Sequence, residues 1–148
     1  MSYYKPIIKQ TIRSASCAMG EGNMAMAMNH LRAGLRYANK FHDSDEKIYI
    51  LGAMASITFK QGDFETAEGY IIDAMTTKGA HPEAYLSVKC DLIEMLLFRG
   101  DEEAALAISR DIIKDLNTQF PDRRVRPPII MALEKFLLDL TCRLTRQK

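Results

Sequence analysis

Apolar residues recur at intervals of three and four along most of the chain, which is the period of an amphipathic α-helix. Before Gly62 the apolar positions are Ile48, Leu51, Met54, Ala55, Ile57 and Phe59, and after it they are Phe64, Ala67, Tyr70, Ile71, Ala74 and Met75. The β-branched alternation of strands is absent. The pattern predicts an all-α chain with seven helices, at about 5–20, 24–41, 45–60, 64–78, 82–98, 102–118 and 127–146.

A glycine followed by Asn or Asp stands between helices at three places. These pairs are Gly22–Asn23, Gly62–Asp63 and Gly100–Asp101, and the glycines are 40 and 38 residues apart. Glycine adopts the positive φ that ends a helix, and Asn or Asp caps the next helix. A buried alanine is expected five residues after each glycine, at Ala27, Ala67 and Ala105, and Gly34, Ala74 or Ile112 follows seven residues later. The spacing predicts three helical hairpins whose small residues allow close approach.

The linkers between hairpins contain helix breakers and caps. Ser44 or Asp45 is expected to cap the third helix, Pro82 to open the fifth and Pro127–Pro128 to open the last. Hairpins that stack need a cover at the end of the stack. The last helix is suited to this role because it carries an apolar stripe that includes Leu133, Leu137, Leu140 and Leu144.

The second hairpin resembles a tetratricopeptide repeat. With Gly62 on the family's turn glycine, Ala67 and Ala74 fall on its two small positions, and Leu51, Met54 and Ala55 on its first-helix packing positions. The chain departs from the family in having repeats of 38–40 residues, Leu51 in place of Trp and Glu102 in place of an aromatic residue. The resemblance implies one domain over 1–148 that forms a right-handed α–α superhelix (solenoid). Its three divergent helix-turn-helix repeats would lie at about 5–41, 45–78 and 82–118, and its capping helix at about 127–146.

In this family the first helix of each repeat lines a concave groove that holds a peptide or a partner helix. The alignment implies a groove lined by Lys9, Arg13, Tyr49, Ser56, Phe59, Lys60, Asp91, Glu94 and Phe98. Such a groove would be basic at one end, apolar in the middle and acidic at the other. It would fit a peptide with one acidic end, one basic end and apolar anchors. The alternative interpretation of Phe59 and Phe98 is that they are half-buried packing residues.

Composition and charge limit the class of protein. The chain has 148 residues, of which 47% are hydrophobic and 26% charged, and a net charge of +1, which is ordinary for one globular domain. Residues 1–41 carry +5, residues 42–122 carry −9 and residues 123–148 carry +5. This distribution indicates solvated helix faces, or a surface that steers a partner of opposite charge. The basic segment 122–128 is interpreted as a solvated linker, and nucleic-acid binding is not expected.

The sequence offers no candidate catalytic centre. The three cysteines and three histidines are too widely spaced for a metal site, which argues against a metal or other cofactor: Cys17, Cys90, Cys142, His30, His42 and His81. Motifs of nucleotide-binding and hydrolytic enzymes are absent. The first residues do not resemble a signal peptide, and no apolar run reaches the length of a membrane span. We therefore expect a cytoplasmic protein that is not an enzyme and is not inserted in a membrane.

The predicted function is a protein–protein interaction module, a small adaptor or chaperone that binds a partner peptide or helix in the groove. One alternative is a regulatory module that senses a peptide or a transcription factor. Another is a structural subunit that forms a homo-oligomer through Leu133, Leu137, Leu140 and Leu144 on the last helix.

Overall fold

The computed structural model describes residues 5–146, apart from the side chain of residue 129. These residues form seven α-helices and one short 3-10 helix, Arg123–Val125, and they contain no strand. The helices are α1 (Lys5–Gly20), α2 (Met24–Lys40), α3 (Ser44–Lys60), α4 (Phe64–Thr76), α5 (Pro82–Phe98), α6 (Glu102–Gln119) and α7 (Pro128–Arg146). The all-α prediction is confirmed, and the predicted helix ends lie within two residues of the observed ones.

The three Gly–Asx pairs form turns with the same geometry, as the sequence predicts. At the second pair Gly62 has a φ of 85°, and the N–H groups of Gly62 and Asp63 donate to Phe59 O and Thr58 O, both at 3.0 Å. Asp63 Oδ1 then accepts from Thr66 N at 3.2 Å. The same bonds recur at Gly22–Asn23 and Gly100–Asp101, where the glycines have φ values of 78° and 82°. One residue pair therefore ends one helix and caps the next.

A fourth turn of this form lies between α2 and α3 and has no glycine. His42 adopts a φ of 55°, and Asp43 Oδ1 accepts from Glu46 N at 3.1 Å. The prediction that Ser44 or Asp45 caps α3 is therefore wrong. Ser44 Oγ instead donates to Lys78 O at 2.8 Å, and Asp45 Oδ1 accepts from His81 N at 2.7 Å, so both side chains hold the loop that precedes α5.

The contacts divide the chain into two compact units, Met1–Asp91 and Leu92–Lys148. The prediction of one domain stays a prediction. In the first unit α1 packs on α2, α2 on α3, and α3 on α4. Its core includes the fully buried Ile8 from α1, Leu31 from α2 and Ile50 from α3. In the second unit α6 packs on α7.

Small residues set the distance between helices in the first unit. A Cβ atom added to Gly34 of α2 would lie 2.7 Å from Thr11 Oγ1 on α1 and 3.2 Å from Ile50 Cδ1 on α3. Ala27 and Ala67 are completely buried. The close approach that the sequence predicts is observed at Gly34, where an added Cβ could be accommodated only if the Thr11 side chain shifted.

No helix among residues 5–146 is both long and apolar enough to cross a membrane.

Candidate partner-binding surface

Seven of the nine residues predicted to line the groove lie in the first unit, on α1, α3 and the part of α5 that ends at Asp91. We call this surface the first-helix face. None of the seven side chains is fully buried. Four are exposed, those of Lys9, Arg13, Tyr49 and Lys60, and three are half-buried, those of Ser56, Phe59 and Asp91. The residues that the sequence selects are therefore available at the surface.

On this face α1 approaches the first turn of α3. Ile8 of α1 and Ile50 of α3 belong to one core cluster, and Lys5 Nζ lies 3.4 Å from Asp43 Oδ2 at the start of α3. Burial raises the pKa of Glu46 in the first turn of α3, and the Asp43 carboxylate raises it further. Lys5 and Lys9 of α1 lie near enough to oppose this shift, but the net pKa stays raised.

Helix α3 lies against α5 at Gly52. A Cβ atom at this position would be 3.0 Å from Asp91 Oδ2 and 3.3 Å from Val88 Cγ2 on α5. The two helices are also joined at their first turns, where Asp45 Oδ2 lies 2.6 Å from His81 Nδ1. Burial alone would raise the pKa of Asp45, but the hydrogen bonds from the His81 backbone and ring lower it below its usual value.

Tyr49 is the exposed aromatic residue of α3 on the first-helix face, with 42% of its surface accessible. Burial of the rest of the side chain raises the pKa of its phenol, and the nearby carboxylates of Asp45, Glu83 and Glu46 raise it further. The phenol therefore stays protonated and can donate a hydrogen bond, while the ring offers an apolar contact.

Phe59 contributes less to this face than the resemblance implies. Its ring packs against Phe64 of α4, with the ring centroids 5.1 Å apart and the planes inclined at 54°. This arrangement is typical of a packing pair that fixes the α3–α4 hairpin. Phe59 therefore presents only part of its ring to solvent, in agreement with the alternative interpretation made from the sequence.

The remaining two predicted groove residues, Glu94 and Phe98, belong to the second unit. Both are exposed, and Phe98 has 72% of its surface accessible. Phe98 is therefore not a buried packing residue, contrary to the alternative interpretation.

The four leucines predicted for self-association face the interior of the second unit. Leu137, Leu140 and Leu144 are buried, and Leu133 is half-buried. Since these side chains already pack within the same chain, they do not form an exposed interface, and this part of the site prediction requires correction. Self-association as such stays an untested alternative.

The interpretation of segment 122–128 as a solvated linker is wrong for Arg126, whose side chain is 1% exposed. Arg126 donates to Phe120 O at 2.7 Å from Nε, to Glu134 Oε2 at 2.5 Å from Nη1 and to Asn117 Oδ1 at 3.1 Å from Nη2. The other oxygen of Glu134, Oε1, lies 3.0 Å from Arg123 Nη2. This network joins the end of α6 to α7, and it borders a cavity of about 250 Å³.

Sequence reasoning did not identify this network. Three arginines within four residues are typical of a solvated loop, and the position of Glu134 on the buried face of α7 was the available signal. A carboxylate amid an apolar stripe requires a buried cation as its partner.

Within residues 5–146, no three His, Cys, Asp or Glu side chains are grouped as a metal ion would require. No family model matches the chain, and no curated protein and no solved structure matches it.

Proposed function

We propose that the chain is a non-catalytic interaction module, an adaptor or chaperone that binds a peptide or helix of a partner protein on the first-helix face. The observation that carries the proposal is the position of Tyr49. This exposed ring lies on α3, whose first turn approaches Lys5 and Lys9 of α1 and whose Gly52 approaches Asp91 of α5.

The proposal includes the architecture that the resemblance implies, a right-handed stack of three divergent tetratricopeptide-like repeats with α7 as its cap. It is supported by the common geometry of the turns at Gly22, Gly62 and Gly100. The buried small residues that follow each turn, Ala27, Ala67 and Ala105, support it further. In such an array the first helices would share one face, which is where a partner would bind.

The charges on this face define the partner. Lys9 and Arg13 have no ion-pair partner among the described residues, so they can bind carboxylates. Asp91 attracts a basic residue, and the Tyr49 ring offers an apolar contact or a cation–π contact. The partner segment therefore carries acidic residues toward α1, an apolar or aromatic residue at Tyr49, and a basic residue toward α5.

The proposal is tested by selecting binders from a library of random displayed peptides and measuring the affinity of synthetic copies by calorimetry. We expect the selected peptides to contain an acidic, an apolar and a basic residue in this order or its reverse. The variant Tyr49→Glu should lose binding, whereas Ile72→Glu on α4, where the replaced side chain is also exposed, should keep it. Peptides that bind both variants as well as the wild type would refute this location.

A bound peptide should also raise the melting temperature of the wild type in proportion to the logarithm of its concentration. The regulatory alternative shares this binding step.

A further inference from the structure

Helix α2 carries a row of cations on its outward side. Arg32, Arg36 and Lys40 are exposed and stand four residues apart, so they follow one another along the helix about one turn at a time. Between Met24 and Lys40 the sequence contains no Asp or Glu. We call Arg32, Arg36 and Lys40 the basic row.

The charges of the basic row are not neutralised within the described part of the chain. Arg32 Nη1 has only a long contact of 3.5 Å to Asn29 Oδ1, and Lys40 Nζ lies 5.6 Å from the centroid of the Phe41 ring. Like charges four residues apart in a helix repel each other. Lys40 lies in the last turn, where the helix dipole favours a cation, but Arg32 is two turns away from that end.

Repulsion among the three cations of the basic row is unfavourable, and no ion pair within the described residues offsets it. Because natural sequences usually avoid such a local conflict, we expect the basic row to have a functional role.

Two exposed apolar side chains accompany the basic row: Tyr37 lies beside Arg36 and Lys40, and Met26 lies six residues before Arg32. Met26 and Tyr37 are 47% and 37% exposed, and since they are three helical turns apart, they lie on the same side of α2. The outward surface of α2 therefore combines the basic row with two separate apolar side chains. The opposite side of α2, with Ala27, Met28 and Leu31, is buried in the core of the first unit.

We propose that the outward surface of α2 binds an acidic amphipathic helix of a partner protein. Carboxylates four residues apart on that helix pair with the basic row, and apolar residues beside them cover Met26 and Tyr37. Arginine favours this partner because its guanidinium group binds a carboxylate through two parallel hydrogen bonds. This surface is separate from the first-helix face.

Charge and shape favour a protein helix over other anionic partners. A nucleic acid would use the three cations but would leave Met26 and Tyr37 uncovered, and three phosphate contacts release few counterions. A membrane would need the main apolar side of α2, which is occupied by the core.

The test uses a synthetic helical peptide with Glu at every fourth position and Leu beside each Glu, and fluorescence anisotropy with the full chain. We expect saturable binding that weakens with added salt. The affinity should fall about tenfold or more when every Glu of the peptide is replaced by Gln. The double variant R32E/R36E should bind the Glu peptide at least about tenfold more weakly, and should instead bind a peptide with Lys in place of Glu.

The matched control is R110E/K114E on α6, which changes the net charge by the same amount at two exposed residues of the same spacing. It should keep the affinity of the wild type, and so should Tyr49→Glu, which separates this surface from the first-helix face. Circular dichroism checks that each variant is folded.

Four results would overturn the proposal. They are equal binding of the Gln and Glu peptides, no binding of the Glu peptide, unchanged affinity in R32E/R36E, and tighter binding of duplex DNA or phosphatidylserine vesicles than of the Glu peptide in the same buffer.

Discussion

Replacing Arg126 by Met tests whether one buried guanidinium group holds α7 in place. Methionine keeps much of the length and apolar volume of the arginine stem but has no N–H donors. The substitution leaves Glu134, which is 7% exposed, without its bond from Arg126 Nη1. It also removes the donors to Phe120 O and Asn117 Oδ1 at the end of α6.

The expected loss of stability is about 3 kcal/mol. Removing one partner of a buried ion pair costs about 3–5 kcal/mol, because the other charge stays buried. The lower end applies here, since Arg123 Nη2 remains 3.0 Å from Glu134 Oε1 and offsets part of the charge. The double variant Arg126→Met/Glu134→Leu should recover most of the loss, because apolar residues can replace a buried ion pair at little net cost.

The measurement is urea denaturation followed by far-UV circular dichroism, because urea does not screen charges as guanidinium chloride does. Amide hydrogen exchange shows whether the loss of stability is located at α7. Arg124→Met is the matched control, since the Arg124 side chain is 90% exposed and binds only Asp122 two residues away. If Arg126→Met destabilises the chain no more than this control, the buried network does not stabilise α7.

Three further substitutions test the turns, the helix packing and the charges of the first unit. His42→Gly should stabilise the folded chain by about 0.5 kcal/mol, because glycine adopts the left-handed backbone conformation without strain and this gain slightly exceeds its entropy cost. A lower free energy of unfolding in urea denaturation would contradict this. Gly34→Ala should destabilise by about 1–2 kcal/mol because the new Cβ meets Thr11 Oγ1, and Thr11→Ala in the same chain should restore part of the loss. Burial and the Asp43 carboxylate raise the pKa of Glu46, so the folded state disfavours its charged form. The stability of the folded state therefore falls as the pH rises from the pKa of Glu46 in the unfolded chain through its higher pKa in the folded chain. Glu46→Gln should therefore stabilise at neutral pH and lose this advantage below about pH 4, and an equal effect at both pH values would refute the assignment.

The helices and turns could be predicted because their signals are local. Gly62 and Asp63 each act through their own backbone and the residues next to them, so the sequence contains what is needed to place the turn. The turn at His42 has the same hydrogen bonds but no glycine, and for this reason the cap at Asp43 was missed.

The buried charges could not be predicted because they depend on contacts between distant residues. Arg124 and Arg126 are two residues apart in the same basic segment, yet the Arg126 side chain is 1% exposed and the Arg124 side chain 90%. The difference arises only when α7 brings Glu134 against the loop. Similarly, the sequence placed Tyr49 and Phe59 on one surface, but the packing of Phe59 on Phe64 became visible only in the folded hairpin.

The turns before α2, before α3 and before α4 have the same hydrogen bonds and divide part of the chain into modules of equal length. Asn23–His42 and Asp43–Gly62 each consist of a cap, a 17-residue helix and two closing residues, so the backbone repeats every twenty residues, half the period of the sequence. Adding one module would reverse the direction of every later helix, whereas adding two would preserve it. A chain with residues 23–62 duplicated should therefore fold with one more hairpin, with a cooperative melting transition and more helix by circular dichroism, and a chain with 43–62 alone duplicated should not.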